Sequence, residues 1–149
     1  MTPNAYPLTV YFDSHCPLCT AEMDHLRLRD AGGKLQFADI WAADFEGPPA
    51  GYTQQDLLTL IHARTADGQV VRGVQVFRLA YEAVGLGWVT MATRLPLIGP
   101  LADACYPVLA RNRHRIPRCM VRLLFGPALQ IAARRAAARR CDESGQCGL

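Results

Sequence analysis

Residues 8–40 set two alternating stretches around one helical stripe, and no other feature of the chain restricts its fold as much. Leu8, Val10 and Phe12 fall on one side of an extended segment and Thr9, Tyr11 and Asp13 on the other, which is the period of a strand with two unlike faces. Pro17 follows at a position where a first helical residue loses nothing by lacking an amide hydrogen. Cys19, Met23 and Leu26 then recur at i, i+4 and i+7, and Gly32-Gly33 is the expected stop. Residues 35–40 alternate again. Two strands joined through a helix run parallel, so this stretch reads as a β-α-β unit.

The next segment is punctuated by Gly47-Pro48-Pro49 and Gly51, a loop signature. Thr53 with Asp56 three residues on is a capping pair for a short helix. A third strand is expected around residues 60–64. The Ala66-Asp67-Gly68 turn leads into residues 69–72, so strands three and four form a hairpin. Val74, Phe77, Tyr81 and Val84 mark a further helix that ends at Gly85 to Gly87. Beyond Trp88 the pattern is helical, with Pro100, Pro117 and Pro127 each at an expected helix start. The expected organisation is a core over 1–87, a helical extension over 88–140 packed on it, and a flexible cysteine-containing tail over 141–149.

The order β-α-β-α-β-β-α is that of an α/β, thioredoxin-like core, and Cys16-Pro17-Leu18-Cys19 falls where that fold keeps a redox pair. The placement has chemical content. A thiol at a helix N-terminus meets unpaired backbone amides and the positive end of the helix dipole, and both favour the thiolate. Cys16 is expected at the N-cap and exposed, as the attacking sulfur. Cys19, one turn in, is expected to be more buried and to resolve the mixed disulfide. Asp13 is a candidate proton relay to Cys19, or else a cap of the turn, and His15 is expected to face solvent. His25 and His62 are expected to be ordinary partly buried residues.

The same Cys-x-x-Cys spacing also serves zinc, so a non-catalytic zinc- or partner-binding module is an alternative. A structural zinc site needs a second ligand pair, and neither Cys141 with Cys147 nor combinations of Cys105, Cys119 and the histidines has the usual spacing. Cys105 and Cys119 lie in apolar helical patterns and are expected as buried packing thiols. Cys141 and Cys147 are expected as two tail thiols, with an electron shuttle as the other reading.

Half of the 149 residues are apolar and 19% are charged, enough for a core that needs no metal or disulfide to hold it. The first residues show no basic stretch followed by an apolar run, and six cysteines then suggest a reducing compartment, so a cytoplasmic location is expected. Fifteen of the sixteen basic residues are arginine, a composition expected of a GC-rich bacterial genome. The net charge of +3 is unevenly spread: residues 111–149 carry nine arginines against Asp142 and Glu143. Met120, Leu123, Leu124 and Leu129 interleave with those arginines, which leaves a solvated face, peripheral membrane contact or contact with an acidic partner as readings. A membrane-surface adaptor is thus a further alternative, while no base-reading signature supports nucleic acid.

Asp13-Ser14-His15-Cys16-Pro17-Leu18-Cys19 resembles the Asp-x-x-Cys-x-x-Cys signature of the DCC family of predicted thiol-disulfide oxidoreductases, a domain of unknown function. Asp39-Ile40, Asp56-Leu57, Ile61-His62, Asp67-Gly68, Gly73-Val74, Phe77 and the segment from Tyr106 to Arg113 also resemble it, over about residues 8–115. The resemblance implies a thioredoxin-like fold and disulfide exchange through Cys16 and Cys19, with no dissociable cofactor. The partners expected are a disulfide-containing protein or small-thiol substrate and an unidentified electron donor. Two departures stand out. Ser14 replaces the glycine most relatives have after the aspartate, which would be strained if the position required a positive φ. Moreover, no proline immediately precedes the third strand, where thioredoxins receive substrate backbone.

Overall fold

The computed structural model describes residues 4–144, with side chains described as far as 139. A four-stranded mixed sheet forms from β1 (Leu8–Phe12), β2 (Leu35–Asp39), β3 (His62–Arg64) and β4 (Val70–Arg72), in the order β2-β1-β3-β4. β1 and β2 are parallel, with Val10 opposite Phe37, as the intervening helix α1 (Pro17–Arg29) requires. β3 runs antiparallel to β1 and pairs with β4 in the expected hairpin. Gly68, at φ 85°, supplies the left-handed residue that this turn needs, and Thr65 closes it by bonding the Gln69 carbonyl.

The two faces of β1 lead to two cores. Leu8, Val10 and Phe12 pack with Met23 and Leu26 of α1 and with Val76, Leu79 and Ala80 of helix α3 (Val74–Ala83). Tyr11 turns the other way, onto Ile40 and Leu57, the latter from α2 (Gln54–Thr59). The capping pair at the start of α2 is in place: the Asp56 amide donates to Thr53 Oγ1 at 3.2 Å, and Asp56 Oδ2 accepts from the Thr53 amide at 2.8 Å. Helices therefore cover both faces of the sheet.

α1 stops short of the expected diglycine. Its C-cap is Asp30, whose carboxylate accepts from the amides of Lys34 and Leu35 at 3.0 and 2.8 Å. Those bonds close the turn from α1 into β2 around Gly32 and Gly33, the latter at φ 61°.

After α3 come a single turn, α4 (Gly87–Thr90), a 3-10 turn over Met91–Arg94, and α5 (Ile98–Asn112). A second 3-10 turn, Arg113–Arg115, precedes α6 (Arg118–Ser144). Pro127 does not start a helix, contrary to the sequence expectation. It lies inside α6, which runs through it, while Pro117 sits just before the first turn and accepts from the Met120 and Val121 amides. A proline on an exposed helix face costs one backbone bond, and water can satisfy the carbonyl this frees. α6 packs along α1, burying Val121 and Ala132, and Arg139 donates to the Leu28 carbonyl at 2.8 Å near the negative end of α1.

Candidate active site

β1 ends at Phe12, and the chain turns sharply before α1. The Asp13 side chain accepts from the His15 amide at 2.9 Å, and the Cys16 amide reaches back to the Asp13 carbonyl at 3.2 Å. No described residue other than glycine has a positive φ, so Ser14 sits here without strain. The turn places Cys16 at the N-cap of α1 with Pro17 directly after it. The Cys19 amide, one of the orphan donors of the first turn, points at Cys16 Sγ from 3.2 Å.

Electrostatics then separates the two sulfurs. The Cys19 thiol acts as a hydrogen-bond donor to Cys16 and draws its pKa down to about 7, against the opposing effect of burial. The Cys19 amide and the Arg113 guanidinium act in the same direction. Cys19 is pushed upward by that same bond, by burial and by the charge on Cys16. Near neutral pH the proton therefore leaves Cys16 and not Cys19.

Burial reverses the sequence expectation. Cys16 is 0% exposed, and Cys19 is the partly open sulfur. An N-cap faces solvent only when nothing packs over the helix start. Here the 3-10 turn Arg113–Arg115 lies against α1, and the loop after β2 brings Trp41 onto His15, with ring centroids 4.9 Å apart. Cys19 lines an apolar cavity of about 490 Å³ beside Phe77, Tyr81, Tyr106 and Phe125. Gly73, at φ 66°, leads into α3, and Tyr106 Cδ1 lies 3.6 Å from where a Cβ on that glycine would stand.

Asp13 is the centre of a buried polar cluster. One carboxylate oxygen accepts from the His15 amide and from Trp41 Nε1, both at 2.9 Å. The other faces Arg113 at 3.4 Å and His114 Nε2 at 3.3 Å. Arg113 is almost fully buried and also donates to the Leu58 carbonyl at 2.8 Å. Trp41, Arg113 and His114 went unread in the sequence. Arg113 stood at the end of the Tyr106–Arg113 segment, but nothing local distinguishes it from the other arginines around it.

Glu22 lies one turn beyond Cys19, buried and in the wall of the same cavity. Burial raises its pKa. His25 and His62 are buried, as was expected in part, and burial holds both below the usual imidazole value. Cys105 and Cys119 are exposed, not buried, because α5 and α6 turn those positions outward. Among the described residues no group of three or more histidine, cysteine or acidic side chains is placed to hold a metal. The Cys141 side chain and Cys147 lie outside the described residues.

A family model described as DCC1-like thiol-disulfide oxidoreductase matches residues 10–119. An uncharacterized protein of Arabidopsis thaliana, described as chloroplastic, is 34% identical over 152 aligned positions that cover 99% of this chain and 68% of the relative. No solved structure matches at a significant level.

Proposed function

The chain belongs to the DCC1-like thiol-disulfide oxidoreductase family, and from that premise we propose that it exchanges disulfides through Cys16 and Cys19. The observation that carries the reading is the unequal pair: a thiolate-favouring Cys16 at the N-cap of α1, hydrogen-bonded by a Cys19 that keeps its proton. The fold reading is thioredoxin-like. The strand order β2-β1-β3-β4, with α1 and α3 on one face and α2 on the other, supports it.

In the proposed cycle the Cys16 thiolate attacks one sulfur of a substrate disulfide, and the other sulfur leaves as a thiolate and takes up a proton. Cys19 then gives up its proton and attacks Cys16 Sγ. The second substrate thiol is released and a Cys16–Cys19 disulfide remains. The substrate gains two electrons, and a separate donor restores the dithiol. Because Cys16 is covered, attack requires a local opening at the Ser14–His15 turn. Asp13 serves this cycle chiefly by fixing Arg113 beside the thiolate, since a proton relay through its carboxylate would mean giving up an ion pair. A reducing compartment is the reading that cysteine use in the sequence supports. The substrate is a disulfide of a protein or small thiol.

The test is a redox titration of protein in which Cys105, Cys119, Cys141 and Cys147 are replaced by Ser, read by thiol alkylation and mass. A reversible two-electron transition at roughly −120 to −270 mV is expected, the range of disulfide exchangers. Failure to form the Cys16–Cys19 disulfide at any poise would sink the redox reading.

A further inference from the structure

α6 is apolar on two sides. Its inner side packs on α1 through Val121 and Ala132, and Arg139 is tied to the Leu28 carbonyl, so the helix cannot roll. Its outer side carries Met120, Leu124, Pro127 and Ile131 at i, i+4, i+7 and i+11, with Leu123 alongside, all exposed. Leu123 is 78% exposed and Leu124 61%, an arrangement water disfavours for large aliphatic side chains. α5 likewise exposes Leu101 and Val108.

Charge decides what covers this stripe. From residue 98 to 139 the chain carries eight arginines and one acidic residue, Asp103. Arg134 and Arg135 are exposed on α6 and flank the stripe, whereas Arg118 and Arg122, also exposed, fall on the other side of the helix. A second copy would bring the same positive charge against itself. An anionic lipid surface supplies both an apolar layer for the leucines and negative headgroups within reach of arginine side chains, whose stems can lie along the boundary. No described helix is long and apolar enough to cross a membrane, so the geometry is that of a helix lying in the plane of the interface.

We propose that the outer face of α6 docks the protein on an anionic bilayer surface, with Leu123, Leu124 and Ile131 seated among the acyl chains and Arg134 and Arg135 at the headgroups. This proposal is independent of the redox reading.

The experiment is co-sedimentation of the full chain with vesicles of phosphatidylcholine alone or with one part in three of phosphatidylglycerol. Binding is expected only to the anionic vesicles and weakens as salt is raised. The double change L123S/L124S lowers the partition coefficient by about a hundredfold, tenfold for each leucine. R134Q/R135Q, which leaves the stripe intact, abolishes the preference for anionic lipid. Reduction of a soluble small disulfide is unchanged in both variants, which separates loss of docking from loss of the redox site. The proposal is overturned if the wild-type chain stays in the supernatant at low salt, or if L123S/L124S pellets like wild type. It is equally overturned if the wild-type chain is a solution dimer that L123S/L124S makes monomeric, since a second copy then occupies the face.

Discussion

At the residue scale, the Asp13–Arg113 pair does two jobs. It is almost fully buried on both sides, so removing one partner leaves a stranded charge. Arg113→Ala is expected to cost about 3 kcal/mol in urea unfolding, whereas the double change D13N/R113A costs less than the sum of the single changes. The same Arg113→Ala protein should show Cys16 alkylation with a midpoint moved upward from about 7, because one of the charges that favours the thiolate is gone. An unmoved midpoint would show that the guanidinium is structural only.

The buried histidines give a pH signature of definite sign. Both His25 and His62 have folded-state pKa values depressed below 6.5, mainly by burial. Below that value the unfolded chain takes up protons that the folded chain refuses, so stability falls as pH drops through 6.5 toward the folded-state values. Glu22 works the other way. Its raised pKa favours the protonated form in the fold, and it penalises folding increasingly as pH rises above 4.5. Urea midpoints measured from about pH 7.5 down to about pH 5.5 should fall, with a shallower slope in His62→Gln, while Glu22→Gln should raise the midpoint near neutrality. A slope in His62→Gln equal to that of the wild-type chain would show that His62 is not held neutral.

At the scale of elements, α6 carries a proline that the rest of its sequence outvotes. Thirteen residues from Gln130 to Asp142 contain no glycine, proline or β-branched side chain except Ile131, and alanine and arginine dominate. The Leu123 carbonyl lacks its usual donor at Pro127 and lies on the exposed face. Replacing Pro127 by Ala restores that bond and should stabilise the protein by about 1–3 kcal/mol in denaturant unfolding. A loss of stability would mean that a bend at Pro127 is needed for α6 to follow α1. α2 shows how much of an element short-range signals can specify. Thr53 and Asp56 fix its start by reciprocal hydrogen bonds three residues apart, so its position was readable from the sequence.

At the scale of the whole molecule, the helices beyond residue 88 complete the surroundings of Cys16 and Cys19 and pack on α1, α2 and α3. Arg113 comes from the turn after α5, and the α6 contact with α1 backs the helix that carries both cysteines. A chain ending at Asn112 lacks both. It should melt at lower temperature than the full chain, and its Cys16 should titrate higher. Equal melting and an equal Cys16 midpoint would show that residues 1–112 build the site alone. In the full chain, unfolding followed by helical circular dichroism and by Cys16 alkylation should coincide, as one cooperative unit requires.

The amino-acid sequence by itself determined the elements around the cysteines. Alternation placed β1 and β2 and assigned the faces of β1, Pro17 and the 3.6-residue stripe placed α1, and the Cys-x-x-Cys spacing put one thiol at an N-cap with the other a turn behind. These are relations among residues a few positions apart, and local sterics and hydrogen bonding settle them. The tertiary structure alone decided which sulfur is covered, which of many arginines turns inward, and which cysteines of the last helices face solvent. Burial is a property of what packs against a residue. The partner that buries Asp13 and tunes Cys16 is an arginine 100 positions further on, brought there only by the path of α5 past α2 and α3.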